Sequence, residues 1–373
     1  MPLAPDHSEI VSLRGTVVSV QANYYWVQLD RESLDPTASK LLLCTRRARL
    51  KKVGQDVMVG DLVQIEEPDW EGQRGAIAAV YPRATQLDRP PIANADQILL
   101  VFALAEPDLD PYQLTRFLVT AEQTGLEVCL CLNKRDLIPQ ETEIAWEKRL
   151  QSWGYSPVFV SVQYDTSLPK LTAALENRVT VVSGPSGVGK SSLINKLIPT
   201  VTQRVKAVSG KLGRGRHTTR HVELFELPAG GLLADTPGFN QPDLICTPEN
   251  LGKCFPEIRD RLLAVSCQFT DCLHQGEPGC GISTNWERYT TYLELLQICI
   301  DQTQTLMNSA NPEAAYKIKI TESGQVQHEP RLAPKKYRQV SRRRHHQSLQ
   351  ELRYELSHKV EDLEALESEE LDG

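Results

Sequence analysis

The sequence predicts a multidomain protein. A small β-barrel comes first, an α/β phosphate-loop domain follows, and a helical module built on a metal-ligand cluster comes after it. Three observations carry this expectation. Five short β-like runs crowd the stretch from 15 to 80. A complete G-x4-G-K-S loop, Gly184 to Ser191, lies between an apolar run and a helix-like segment. Cys267, Cys272, His274 and Cys280 fall within fourteen residues of one another.

Bulk properties set the class. The 373 residues are 24% charged and 40% hydrophobic, enough for two or three ordinary globular domains. No run of about twenty apolar residues occurs, so no membrane span is expected. The N-terminus lacks a basic-then-apolar lead, which makes a cytoplasmic location the expectation. The formal net charge of -7 is local: residues 351–373 hold nine acids and two bases, which accounts for all of it. The bases are clustered elsewhere. Six Lys or Arg and no acid lie between Arg204 and His221, and seven and none lie between Arg331 and His346. Arg46, Arg47, Arg49, Lys51 and Lys52 form a smaller group. Such local surfaces, not the overall balance, are what a polyanion meets.

Taken in order, residues 15–20, 24–29, 41–44, 60–65 and 76–80 read as strands separated by turns. That texture predicts an OB-fold barrel over 1–82, the kind that binds single-stranded nucleic acid with aromatic and basic side chains. Tyr24, Tyr25, Arg46, Arg47 and Arg49 are the candidates. The same aromatics read equally well as core and the same arginines as solvated. A proline-marked linker, 83–94, carries Arg83 and Arg89.

From 95 to 243 the pattern becomes α/β. Fully apolar strands at 97–103 and 127–132 flank an amphipathic helix at 112–124, as in a buried parallel sheet. The second strand ends in Asn133-Lys134-Arg135-Asp136. N-K-x-D after a strand reads guanine: Asp136 accepts from the base's N1 and N2 donors, which adenine lacks. Asn133 braces the site and the Lys134 stem covers the ring. A helix at 143–153 and a strand at 157–161 follow, and Ser161-Val162 stands where Ser-Ala usually backs the base. A helix at 168–176 then leads to the strand at 179–182.

In the phosphate loop, Gly184, Pro185, Ser186, Gly187, Val188 and Gly189 curl backbone N–H groups around phosphate. Lys190 reaches the terminal phosphates, Ser191 holds magnesium, and Ser192 completes the contacts at the helix start. The basic segment 210–220 offers Thr219, or Thr218, to the magnesium shell. Asp235-Thr236-Pro237-Gly238-Phe239 supplies Asp235, which holds magnesium through water, and the Gly238 N–H, which senses the γ-phosphate. Phe239 stands where many GTPases place a water-orienting Gln, so that residue must come from elsewhere. His217 is the candidate, and contact with RNA or solvent is its bland alternative.

The order is unusual. The guanine-reading pieces precede the phosphate loop, whereas ordinary GTPase domains run the other way, so the domain reads as circularly permuted. The second switch then leads directly into the module at 244–310, which points to nucleotide state being transmitted there. That module reads as mainly helical. Its Cys267-x4-Cys272-x-His274-x5-Cys280 spacing supplies four soft ligands for one structural zinc ion. Residues 311–373, basic then acidic, read as a partly disordered extension.

Together these motifs resemble the RsgA family, circularly permuted GTPases that depend on the small ribosomal subunit. The resemblance covers residues 13 to 300. Beyond them the tail is similar to extensions of cyanobacterial members. The resemblance implies a cytoplasmic monomer, without membrane attachment, that binds the 30S subunit and its 16S rRNA near the decoding region. It implies GTP hydrolysis that this subunit stimulates late in assembly, followed by release. It also makes His217 the proposed catalytic histidine, with Lys190 beside it. Val162 and Asp165 depart from the family's Ser-Ala-x-x-Gly pattern, which weakens the element around Ser161. Two competing readings are an rRNA-binding assembly protein whose nucleotide site is structural, disfavoured by Lys190, Ser191 and Asp235, and a phosphate-loop kinase, disfavoured by Asn133 to Asp136.

Overall fold

A computed structural model of the chain describes residues 13–30, 41–164, 167–198, 222–235, 246–308, 316–320 and 326–330. The chain separates into two compact units, 1–303 and 304–373.

In the first unit, strands β1 (Leu13–Gln21), β2 (Tyr24–Leu29), β3 (Leu41–Arg46), β4 (Leu62–Asp69) and β5 (Arg74–Val80) close a barrel. Their order is β1-β2-β3-β5-β4, and β4 returns to pair with β1. Every pairing is antiparallel except β3 with β5. This is the OB-like barrel that the five runs predict. Alternating residues point inward, so Val17, Val27, Leu42, Ile65 and Ile77 are fully buried. A Cβ on Gly15 would meet the Gln28 carbonyl oxygen at 2.6 Å, so only glycine lets β1 and β2 lie this close. Helix α1 (Ala48–Val53) inserts Leu50 into the barrel core and leaves Arg49, Lys51 and Lys52 exposed.

The structure divides the expected nucleic-acid candidates of the barrel. Tyr24 is exposed, but Tyr25 is core, with the Arg46 guanidinium over its ring. Arg46 also donates to the Gln55 carbonyl at 2.9 Å, and Arg47 pairs with Glu66 and Glu67. Of the five, Tyr24 and Arg49 are exposed.

The linker is more ordered than its prolines suggest. It forms a hairpin of β6 (Gln86–Asp88) and β7 (Pro91–Ala93). Arg83 clamps it to the barrel by donating to both carboxylate oxygens of Asp61, at 2.7 and 2.9 Å. Asp61 is fully buried and also accepts from the Met58 amide at 2.8 Å.

The α/β sheet runs β10 (Val158–Phe159), β9 (Glu127–Asn133), β8 (Gln97–Ala103), β11 (Val179–Ser183), β13 (Leu232–Asp235), β12 (Glu223–Glu226). The pairings from β10 to β13 are parallel, and β12 is antiparallel to β13. Every residue of β8 is buried, and its two faces feed different cores. Ile98, Leu100 and Phe102 pack with Leu114 and Phe117 of α2 (Pro111–Glu122) and Leu150 of α3 (Gln140–Ser152). Leu99 and Val101 pack with Leu171 of α4 (Leu168–Leu175) and Leu193 of α5 (Lys190–Leu197). β12 also meets β1, Ser19 opposite Glu223, so barrel and α/β sheet form one hydrogen-bonded run of eleven strands.

The helical module follows with α6 (Pro248–Leu251), α7 (Pro256–Leu262) and α8 (Tyr289–Asn308). Leu251, Phe255, Ile258, Tyr292 and Leu295 form its core, and Val119 of α2 joins them. Arg288, only 2% exposed, donates to Glu257 at 2.8 Å and lies 4.7 Å from the Trp153 ring centre. Glu287 accepts from Arg149 and from the Trp153 indole, at 2.6 and 2.8 Å. The stretch from 263 to 288 is not helical, although the sequence suggests a mainly helical module. Its bends serve the metal-ligand residues, and His274 itself has a φ of +57°.

In the second unit β14 (Tyr316–Ile320) and β15 (Val326–Pro330) pair as antiparallel strands, and β14 alternates apolar and basic residues as a strand does. Among the described residues no helix is long and apolar enough to cross a membrane.

The Arg83–Asp61 clamp predicts that Asp61→Ala destabilises the barrel by about 2–4 kcal/mol, because a fully buried partner of a partly exposed arginine is lost. Urea unfolding followed by the fluorescence of the chain's five tryptophans, Trp26 and Trp70 of the barrel among them, measures it. A change below about 0.5 kcal/mol would remove the clamp from the barrel's stability.

Candidate nucleotide crevice and metal cluster

The loops that follow β8, β9, β10, β11 and β13 all leave the carboxyl ends of parallel strands, where open α/β sheets form their ligand crevice. The phosphate loop turns sharply between β11 and α5. Gly184, Gly187 and Gly189 have φ of +140°, +84° and +95°. A Cβ on Gly184 would lie 2.1 Å from the Val101 carbonyl oxygen, and one on Gly189 would lie 2.4 Å from the Asn133 amide nitrogen. These glycines are required by close approach as well as by backbone angle. Ser186, Gly187, Ser191 and Ser192 are exposed, while Pro185 and Val188 are buried beneath them. The Lys190 ammonium donates to the Gly184 and Pro185 carbonyl oxygens at 2.7 and 2.6 Å, so it curls over its own loop.

The base-reading pieces touch this loop directly. Asn133, 3% exposed at the end of β9, donates to the Val188 carbonyl oxygen at 2.9 Å. Its own side-chain oxygen accepts from the Val162 amide at 3.4 Å. One amide side chain thus ties together three loops. Lys134 adopts the left-handed conformation, φ +62°, and its ammonium donates to the Glu106 carbonyl oxygen. Asp136 sits in the 3-10 turn Arg135–Leu137 and is exposed. Ser161 is buried and accepts from the Tyr164 amide at 3.3 Å, which shapes the turn after β10.

Asn133 and the phosphate loop therefore meet directly, with the turn after β10 held to the same amide, while Lys134 reaches the Glu106 carbonyl and Asp136 follows in the next turn. Asp235 ends β13, opposite Glu223 in the ladder. His217, Thr218, Thr219 and Gly238 lie outside the described residues. The wall formed by Glu106 and Pro107 is absent from the sequence reading. Pro107 lies 3.8 Å from where a Gly187 Cβ would be, and Glu106 contributes a backbone carbonyl, which no side-chain motif announces.

The four predicted metal ligands also converge: their ligand atoms all lie within 4.8 Å of one another. The His274 Nδ1 is 3.6 Å from each of the sulfurs of Cys267, Cys272 and Cys280. A tetrahedral ion with bonds of about 2.3 Å to sulfur and about 2.0 Å to nitrogen sets these atoms about 3.5 Å apart. The donor set fits such an ion. Burial, with the adjoining Cys280 and Cys267 thiols, pushes the Cys272 thiol up to about 12 against the His274 backbone amide. A thiolate there needs a cation beside it. Burial also lowers the His274 pKa and favours the neutral imidazole that coordinates. Supporting groups fix the loop: the Gly281 amide donates to the Cys267 sulfur at 3.4 Å, and the Tyr292 hydroxyl donates to the Leu273 carbonyl at 2.6 Å. Glu277 accepts from the Leu273 and Gln275 amides at 3.1 and 2.7 Å, a bracing role with no sequence signal.

The family model described as RsgA GTPase matches residues 80–245. The small ribosomal subunit biogenesis GTPase RsgA of Trichormus variabilis is 58% identical over 357 residues, covering 91% of this chain and 96% of its own. That of Synechocystis is 54% identical over 90% of this chain and 94% of its own. Among solved structures, YloQ, described as a circularly permuted GTPase, is 32% identical, with a TM-score of 0.65 over 80% of this chain and 99% of its own. YjeQ from Thermotoga maritima is 29% identical, with a TM-score of 0.63 over 78% of this chain and 99% of its own.

The cluster predicts that Cys272→Ser loses most of the metal bound by the unaltered protein, read by elemental analysis. Amide exchange across 263–288 is expected to quicken in the same variant. Full metal retention would remove these four residues as the ligand set.

Proposed function

The chain belongs to the RsgA family of GTPases, and we infer that it binds GTP with magnesium and hydrolyses it to GDP and phosphate on the small (30S) ribosomal subunit, late in that subunit's assembly. The observation that carries this reading is the 2.9 Å bond from Asn133 to the Val188 carbonyl. It joins a guanine-selective element to a phosphate loop in one crevice.

Each part has a physical role. Asp136 accepts from the two donors of guanine, Asn133 braces the pocket, the Lys134 stem covers the ring, and Ser161 shapes the backbone behind it. The backbone N–H groups of residues 184 to 189 surround the phosphates. Lys190 exchanges its loop carbonyls for phosphate oxygens, so the ammonium is hydrogen-bonded with or without nucleotide. Ser191, Thr219 and Asp235 would hold magnesium, which supplies charge neutralisation at the phosphates. Gly238 donates its N–H to the γ-phosphate. Phe239 carries no polar group to orient water, so His217 does so once the subunit positions it. Unassisted turnover is then slow.

The remaining parts serve docking. The barrel, 1–82, with exposed Tyr24 and the basic face of α1, meets 16S rRNA, and 83–94 links it to the GTPase domain, 95–243. Residues 244–310 hold one zinc ion: three thiolates and an imidazole suit zinc, and the filled ligand set makes the ion structural. Residues 311–373 extend the chain with a basic and then an acidic segment. The protein works as a cytoplasmic monomer, where its ribosomal partner is.

Phosphate release from GTP should rise roughly 10²-fold or more when purified small subunits are added, by comparison with other partner-stimulated GTPases. Little stimulation would favour the alternative, an rRNA-binding assembly protein with a structural nucleotide site. Equal turnover of ATP would sink the guanine assignment. His217→Ala should keep nucleotide affinity and lower the stimulated rate by about 10²-fold or more. An unchanged rate would exclude His217 from the chemistry.

A further inference from the structure

Between Lys134 and Asp136, whose roles at the base follow from their chemistry, stands Arg135, at the position that N-K-x-D leaves open. Arg135 opens the 3-10 turn Arg135–Leu137, which carries Asp136. The backbone of this turn is set by two bonds. The Arg135 amide donates to the Val160 carbonyl at 3.2 Å, and the Leu137 amide donates to the Lys134 carbonyl at 3.0 Å. The Arg135 side chain adds two more. One guanidinium nitrogen donates to the Ser167 hydroxyl at 3.2 Å, and another lies 3.1 Å from the Glu143 carboxylate. Ser167 stands immediately before α4, and Glu143 lies in the first turn of α3. One planar fork therefore joins the base-reading turn to the starts of two helices.

Ser167 is an atypical helix start. A serine there ordinarily turns its hydroxyl onto the first free amides of the helix. Here φ is +61°, the side chain makes no cap bond, and the hydroxyl accepts from Arg135 instead. The turn after β10 is thus held by the motif at two places. Asn133 takes the Val162 amide, and Arg135 takes the Ser167 hydroxyl. Val162 and Leu168 pack against one core. This is the stretch in which Val162 replaces the usual Ala, so its hold on the base-reading turn rests on contacts that the Ser-Ala-x-x-Gly pattern does not describe. The Arg135–Glu143 pair is partly exposed and adds little to stability. Its effect is geometric: a rigid fork bound to two anchored partners restricts the turn from which it grows.

We propose that Arg135 is a positioning residue for base selection: by tying its turn to Ser167 and Glu143 it keeps the Asp136 carboxylate in line with the guanine N1 and N2 donors. The proposal rests on Asp136 reading guanine. Asp136 is exposed in a turn of three residues, and a carboxylate accepts from two base donors at once only while that turn keeps its place. Arg135 itself touches neither base nor phosphate in this role. Its loss should therefore be felt most at the exocyclic amine, the group that separates guanine from hypoxanthine.

The test uses the full chain with its metal bound and magnesium present. Competition against a fluorescent, ribose-labelled GDP gives affinities for GDP, inosine diphosphate and ADP. Inosine diphosphate keeps the N1 donor and lacks the N2 amine, so the ratio of GDP to inosine diphosphate affinity reads the Asp136 contact. The unaltered chain should prefer GDP by about 10-fold or more, and Arg135→Ala should shrink that preference to about 3-fold or less. Ser167→Ala should shrink it in the same direction, and the double variant no further than Arg135→Ala, since both remove one contact. An unchanged ratio in Arg135→Ala overturns the proposal. So does an equal fall in affinity for all three nucleotides, which is what a merely structural residue would give. If Arg135→Ala fails to fold, the ratio in Ser167→Ala decides by the same criteria. The guanine assignment fails separately: an unaltered chain that binds ADP as tightly as GDP overturns that assignment and the role of Arg135 with it.

Discussion

The side-chain amide of Asn133 is the constraint on which the crevice depends. Its nitrogen holds the Val188 carbonyl and its oxygen takes the Val162 amide. An amide donates and accepts at once, which neither a carboxylate nor an ammonium can do. The loops after β9, β10 and β11 are thereby fixed to one buried group, although 55 residues separate Asn133 from Val188. Gly189 completes the arrangement, because any Cβ there would occupy the space of that amide nitrogen. The crevice needs these contacts in space and is indifferent to chain order, so a permuted connection costs it nothing.

Permutation instead decides what the α/β sheet is joined to. Its β12 edge pairs with the barrel through Ser19 and Glu223, and the chain leaves β13 toward the helical module. That module is held by Arg288, pinned between Glu257 and the faces of Trp153, Tyr155 and Phe255, and by Glu287 bridging Arg149 and Trp153. A buried arginine of this kind is tolerated because a carboxylate and several aromatic faces replace its water. The metal cluster and this anchor lie on the same short span of chain, so folding of the metal loop and docking on α3 are coupled.

Much of this was legible in the sequence, for a physical reason. Phosphate binding, guanine selection and tetrahedral metal binding each need particular residue types at fixed spacing, so Gly184 to Ser191, Asn133 to Asp136 and Cys267 to Cys280 declare themselves. The barrel strands and the apolar β8 and β9 were legible through alternation and through continuous burial. Other features left no such trace. Tyr25 carries a residue type common to both core and nucleic-acid faces, and only its inward register shows which it is. Glu106 acts through its backbone. The clamp of Arg83 on Asp61 spans 22 residues, with no repeating interval to announce it. The hairpin of β14 and β15 is different: Tyr316 to Ile320 alternate apolar and polar residues cleanly, a strand signal the sequence carries in a short run between less patterned segments.

The run of eleven strands has one further consequence. One end closes on itself, since β4 returns to β1, and the other ends at β10, which is two residues long. A sheet this wide ordinarily offers two rows of unpaired backbone groups on which another chain can build. Here β1 divides its outer side, Leu13 to Thr16 pairing with β4 and Ser19 meeting Glu223 of β12, so the barrel itself stands at the α/β sheet's far end. Among the described residues the eleven-stranded run therefore ends in a two-residue strand on one side and in a closed barrel on the other, which leaves little length of it for another chain to extend.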